Sequence, residues 1–122
     1  MNMDNQLLEL EGLTIRITAS NEAVTITWEG ISEIEDPETE LSPFLIRLIP
    51  AHKEQKVVID FRTLEYMNSA TLQPILQLIK ELDAKAIDTE MRYDKAVEWQ
   101  RITFRCLKAI ASTLTHTRIT SE

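Results

Sequence analysis

The chain has 122 residues, 43% hydrophobic and 27% charged, with a formal net charge of -7. This suits one domain around one core and argues against a disordered or membrane chain, and the excess of carboxylates argues against nucleic acid as the main partner, because phosphate backbones are held by clustered Lys and Arg. No apolar run reaches the roughly 18 residues of a membrane span and the first ten residues lack a leader's basic and apolar regions, so a cytoplasmic protein without membrane insertion is expected; the lone Cys106 fits a reducing compartment.

Residues 13–18 alternate as LTIRIT and residues 23–28 as AVTITW, with Ser20, Asn21 and Glu22 between them. They read as a β-hairpin with one polar face that begins a sheet. After Gly30 comes an acidic stretch of Glu33, Glu35, Asp36, Glu38 and Glu40, which contains Pro37 and lacks calcium-loop spacing. It reads as a solvated loop. Residues 41–49 place Phe44, Leu45, Leu48 and Ile49 at helical spacing, with Pro43 in the first turn and Pro50 at the end, and predict the first helix.

Residues 56–82, KVVIDFRTLEYMNSATLQPILQLIKEL, carry the strongest signal. Val57, Val58, Ile59 and Phe61 form a short β-rich run, whereas Leu72, Ile75, Leu76, Ile79 and Leu82 recur at helical spacing. The period therefore switches from strand to helix across Asn68-Ser69-Ala70-Thr71. Pro74 is tolerated only in a first helical turn, which favours Thr71 as the N-cap and leaves Ser69 in the turn just before it. Small hydroxyls at a helix start serve as caps, and the unpaired N–H groups there favour phosphate or another anion. Beyond this unit, residues 85–88 read as a connection, 90–93 as a short strand, 95–114 as the last long helix and 118–120 as an edge strand. The order predicts an α/β fold, a mixed four- to five-stranded sheet packed with about three helices, spanning 1–122 as a single domain.

The stretch Asn68-Ser69-Ala70-Thr71-Leu72, at the end of an apolar strand and the start of a helix, resembles the STAS domain signature of anti-sigma factor antagonists, Asp-Ser-Ser/Thr-Gly-Leu. Asn68 stands at the acidic position and Thr71 at the glycine position. The Asn followed by a hydroxyl residue, with the later Tyr93-Asp94, is similar to a related branch, the STAS-like regulatory phosphoproteins that bind diguanylate cyclases. The resemblance implies a STAS fold and a bacterial, non-catalytic signalling protein. Ser69 would be its phosphorylated residue, with Thr71 as second choice, and Asn68, Ser69, Ala70, Thr71 and Gln73 would bind the partner. The implied partner is an anti-sigma factor that is also a serine kinase, with a phosphatase to reverse it, or else a diguanylate cyclase. A constitutive accessory subunit or homodimer module without phosphorylation is the alternative.

Catalysis finds little support in the residues. Gly12 and Gly30, the chain's two glycines, cannot build a phosphate-cradling loop or a dinucleotide fingerprint. His52 and His116 lack ligand-spaced companions, so no metal or cofactor is expected. Asp60 lies where α/β enzymes place functional carboxylates, but without an acid/base companion it reads as an anchor for the turn. On the last helix Trp99, Ile102, Cys106, Ile110 and Leu114 form the expected core side, with Cys106 as a small core residue. Arg101, Arg105 and Lys108 form a separate basic stripe, a solvated face or a secondary interface to an acidic partner or sister subunit.

Overall fold

Alternate strand residues divide into a buried and an open set, and that division sets the architecture. The computed structural model describes residues 6–50 and 54–121. Among these, seven strands form one mixed sheet: β1 (Gln6–Leu10), β2 (Leu13–Ala19), β3 (Ala23–Ser32), β4 (Lys56–Asp60), β5 (Leu64–Met67), β6 (Thr89–Tyr93) and β7 (Thr117–Ser121). Their order across the sheet is β1-β2-β3-β4-β6-β7, antiparallel from β1 to β3 and parallel from β3 to β7. β5 continues the lane of β4 along β3: Thr27 pairs with Asp60, and further on Gly30 pairs with Leu64 and Ser32 with Met67.

Four helical segments join the strands: α1 (Pro37–Glu40), α2 (Ser42–Ile46), α3 (Leu72–Ala84) and α4 (Glu98–Ala111). Ile15, Ile17, Ile26, Trp28, Val57, Ile59 and Met91 share one apolar cluster with Ile75, Ile79 and Leu82 of α3 and Phe104 and Leu107 of α4. The residues between them, including Thr14, Arg16, Thr25, Thr27, Glu90 and Arg92, escape full burial. Because strand side chains alternate, both long helices therefore cover the same face of the sheet, and the opposite face is mainly polar, with Val58 of β4 its buried apolar exception. Glu90 collects Arg92 at 2.8 Å, with Lys56 and Arg118 at 3.9 Å, on that open face.

Several expectations are corrected. The sheet has seven strands, not four to five: β1 adds to the edge of the hairpin, and β5 forms within the stretch that leads into the turn. β3 runs four residues past Trp28 to Ser32 and so gives β5 a partner. The helix expected over 41–49 is shorter, because α2 spans only Ser42–Ile46, with Pro43 in its first turn as expected. The acidic stretch is not all loop; Pro37–Glu40 forms one turn, capped by the Asp36 carboxylate, which accepts from the Thr39 N–H at 3.4 Å. His52 lies outside the described residues.

The last helix is shorter than the expected 95–114, spanning Glu98–Ala111, and it is rotated. The Phe104 ring stacks on Tyr93 at 5.0 Å and meets Phe61 at 5.1 Å, and Phe61 in turn meets Trp28 at 5.1 Å. This aromatic chain turns Gln100, Phe104, Leu107 and Ala111 inward. The stripe expected in the core is half-buried at its ends, Trp99 and Leu114, and exposed at its centre, Ile102, Cys106 and Ile110. Cys106 is thus a surface residue and not a core one.

Candidate functional site: the Asn68 to Thr71 turn

The turn between β5 and α3 is built by hydrogen bonds from both sides. Ser69–Thr71 form one turn of 3₁₀ helix that runs straight into α3. Thr71 stands at the N-cap position of α3, as expected, but makes no side-chain cap; the capping side chain is that of Asn68 at the start of the 3₁₀ turn, whose Oδ1 accepts from the Thr71 N–H at 3.1 Å. The α-helix proper still begins at Leu72, so Pro74 falls in its first turn, where no hydrogen bond is lost. The 3₁₀ turn lets an early cap and an early proline coexist.

Asn68 also ties the turn to the strand beside it. Its backbone N–H donates to the Ser32 carbonyl at 2.9 Å, and its Nδ2 donates to the Ile34 carbonyl at 3.1 Å. An aspartate could accept from Thr71 but could not donate to Ile34, which gives the amide at this position a physical reason. Thr71 is fully buried, and its hydroxyl donates to the Asn68 Oδ1. With that proton committed, the Ser32 hydroxyl is the donor in the 2.8 Å bond to the Thr71 Oγ1. Thr71 has a φ of -66°, in the right-handed region open to any residue, so this turn has no need of glycine.

Ser69 is different from its neighbours. It is exposed, and among the described residues its hydroxyl has no hydrogen-bond partner. Ala70 is half-buried, and Gln73, one turn further on, is exposed. Of the two hydroxyls singled out for phosphorylation, Ser69 opens to solvent and Thr71 is sealed in the scaffold. Gln73 reaches an open groove of about 750 Å³ between α1–α2 and α3, lined by Glu38, Ser42, Pro43, Ile46, Leu76, Gln77 and Lys80 among others. Across it the Ser42 hydroxyl donates to the Gln77 Oε1 at 2.8 Å. The groove was not legible in the sequence, because it depends on how α2 lies against α3.

The remaining candidates are spread over the fold. Asp60 is an anchor, though of the bend between β4 and β5 and not of the Asn68 to Thr71 turn: it accepts from the Arg62 N–H and Nε at 3.0 Å each and from Nη2 at 2.7 Å. Burial raises its carboxyl, but the bonds and charge of Arg62 outweigh that and leave it below the ordinary value. The basic stripe does not act as one unit. Arg101 donates to the Lys95 carbonyl at 3.3 Å, and Lys108 sits 5.4 Å over the Tyr93 ring. Burial pushes the Tyr93 hydroxyl up, but hydrogen bonding with Lys108 and Ser121 outweighs it and lowers its pKa. Among the described residues no group of three or more His, Cys, Asp or Glu side chains is placed to hold a metal, and no helix is long and apolar enough to cross a membrane.

Sequence reasoning missed Gln100. Fully buried on α4, it donates through Nε2 to the Phe61 and Leu64 carbonyls at 2.8 and 2.9 Å and accepts from the Asp94 N–H at 2.8 Å. It thereby fixes the bend that leads into β5 and the turn. Its only signal in the sequence is a polar residue four before Phe104, on the face that Phe104 turns inward. Compared with models of known protein families and with curated proteins, the chain matches none.

Proposed function

We propose that this chain is a STAS-like, non-catalytic signalling protein of the bacterial cytoplasm, which binds a partner protein under the control of phosphorylation at Ser69. The observation that carries the reading is the contrast within one turn. Asn68 and Thr71 are committed to the scaffold, while the Ser69 hydroxyl stands exposed and without a partner among the described residues. A phosphate on Ser69 would add nearly two negative charges at the start of the 13-residue helix α3. The helix terminus favours that charge in the free protein, so the fold need not change. Inside an interface the same charge loses its water, and opposite acidic groups it repels the partner.

The partner surface in this reading takes in Asn68, Ser69, Ala70, Thr71 and Gln73 and extends along the groove beside α3. Thr71 contributes through its place in the scaffold. The partner classes are an anti-sigma factor with serine kinase activity, together with a phosphatase. A second reading, a regulator of a diguanylate cyclase, is favoured by the amide at position 68, which bridges Thr71 and Ile34 where an acid could not.

The test uses wild-type, Ser69→Ala and Ser69→Asp chains as baits in a lysate of the native host, with phosphosites mapped by mass spectrometry. Retention of a kinase-type ATPase or a cyclase by wild type and Ser69→Ala but not by Ser69→Asp, with phosphate on Ser69 of the native protein, is the expected result. Identical partners on all three baits and an unmodified turn would sink the proposal.

A further inference from the structure

An apolar band runs from β3 and β5, beside the Ser69 turn, to α4. Ile31 pairs with Tyr66 between β3 and β5, and the Tyr66 ring meets Trp99 edge-on at 6.3 Å. Trp99 leads along α4 to Ile102, Cys106 and Ile110 at spacings of three, four and four, one continuous stripe on a helix. Ile31 is 38% exposed, Tyr66 45%, Ile102 53% and Ile110 39%. Among the described residues, Leu7 alone of the exposed large apolar side chains lies outside this band. A contiguous patch of this kind marks an interaction surface, whereas scattered apolar residues do not.

The charges beside the band point to its occupant. Glu98 and Arg105 lie four residues before and three residues after Ile102, on one flank of the stripe. They stand roughly 10 Å apart along the helix axis. Both are exposed, and among the described residues neither has an ion-pair partner. When two identical helices pack antiparallel about a two-fold axis, like flanks face each other and their ends exchange. An axis beside Ile102 then sets each Glu98 against the Arg105 of the other copy, with Trp99, Ile102 and Tyr66 buried between. The patch is complementary to itself, as an isologous interface requires. We propose that a second copy of this chain covers the band, forming a two-fold dimer through antiparallel α4 helices. The dimer is independent of the Ser69 reading, since neither phosphate nor another protein takes part in it.

Sedimentation equilibrium of the full chain tests this, with circular dichroism to verify folding. Wild type is expected to be dimeric, and Ile102→Asp monomeric and folded. Glu98→Arg and Arg105→Glu each place like charges together and are expected to weaken association about tenfold or more. The double variant Glu98→Arg/Arg105→Glu restores the pairing and is expected to dimerise again. A monomeric wild type, a dimer indifferent to Ile102→Asp, open-ended assembly, or a double variant no better than the single ones would each overturn the proposal.

Discussion

The hydroxyls of Ser32 and Thr71 meet at 2.8 Å inside the protein, 39 residues apart in the chain. This bond joins the end of β3 to the start of α3, so the turn that carries Ser69 is held by the neighbouring strand as well as by its own cap. Thr71→Val keeps the shape and removes one partner, leaving a buried serine hydroxyl unpaired, which costs about 1–3 kcal/mol. Ser32→Ala/Thr71→Val should cost less than the two single changes added together, because no hydroxyl is then stranded. Asn68→Asp should also destabilise, by about 1–2 kcal/mol, since the Ile34 carbonyl loses its donor. Urea unfolding of wild type and the four variants, Ser32→Ala among them, gives these numbers directly.

Gly30 cannot be replaced cheaply. Its φ is +87°, and a Cβ there would stand 2.1 Å from the Gly12 carbonyl oxygen, while Ile31 donates to that same oxygen at 2.9 Å. Gly12 has a φ of +88°, but a Cβ on it would meet nothing closer than 3.6 Å. Gly30→Ala combines strain with a backbone clash and should cost about 3 kcal/mol or more, against about 1–2 for Gly12→Ala. Thermal melts should separate the two variants clearly, with Gly30→Ala falling roughly 10 °C or more.

Gln100→Ala should destabilise as much as a large core deletion. It strands the Asp94 N–H, takes a donor from the Phe61 and Leu64 carbonyls and opens a hole beside Phe104, for a combined cost of about 3 kcal/mol or more. The loss should be visible in denaturant unfolding. Gln73→Ala, on the exposed side of α3, should stay within about 0.5 kcal/mol of wild type.

Acid should weaken the fold through the open face of the sheet. Asp60 lies below its ordinary 3.8, the bonds and charge of Arg62 outweighing burial, and Glu90 lies below its ordinary 4.5, chiefly through the hydrogen bond from Arg92. A carboxylate with a depressed folded pKa contributes stability that is present above its unfolded value and lost as pH falls through the folded one. Stability should therefore decline as pH drops below 4.5 and then below 3.8. Asp60→Asn/Glu90→Gln should flatten that decline, read as urea midpoints across the acid range. A decline of unchanged slope in the double variant would assign it to other groups.

By itself the sequence determined those elements whose apolar period has no rival. The alternation of β2 and of residues 23–28 in β3, the run of β4 and the helical repeat of α3 were each legible, because a single register turns their large apolar residues toward the core. The exposed serine at the junction of β5 and α3 was legible too, from the switch of period and from Pro74. Tertiary structure decided what local pattern leaves ambiguous. α4 carries two apolar stripes, and the one with Phe104 faces inward, its ring packed against Phe61 and Tyr93; Ile102, Cys106 and Ile110 were left outside. β5 exists because β3 continues past Gly30 and offers it a pairing edge, a long-range hydrogen-bonding partner that four residues cannot announce. The capping bond comes from the Asn68 side chain and not from Thr71 at the N-cap of α3, because Ser32 and Ile34, distant in sequence, supply the bonds that fix both side chains.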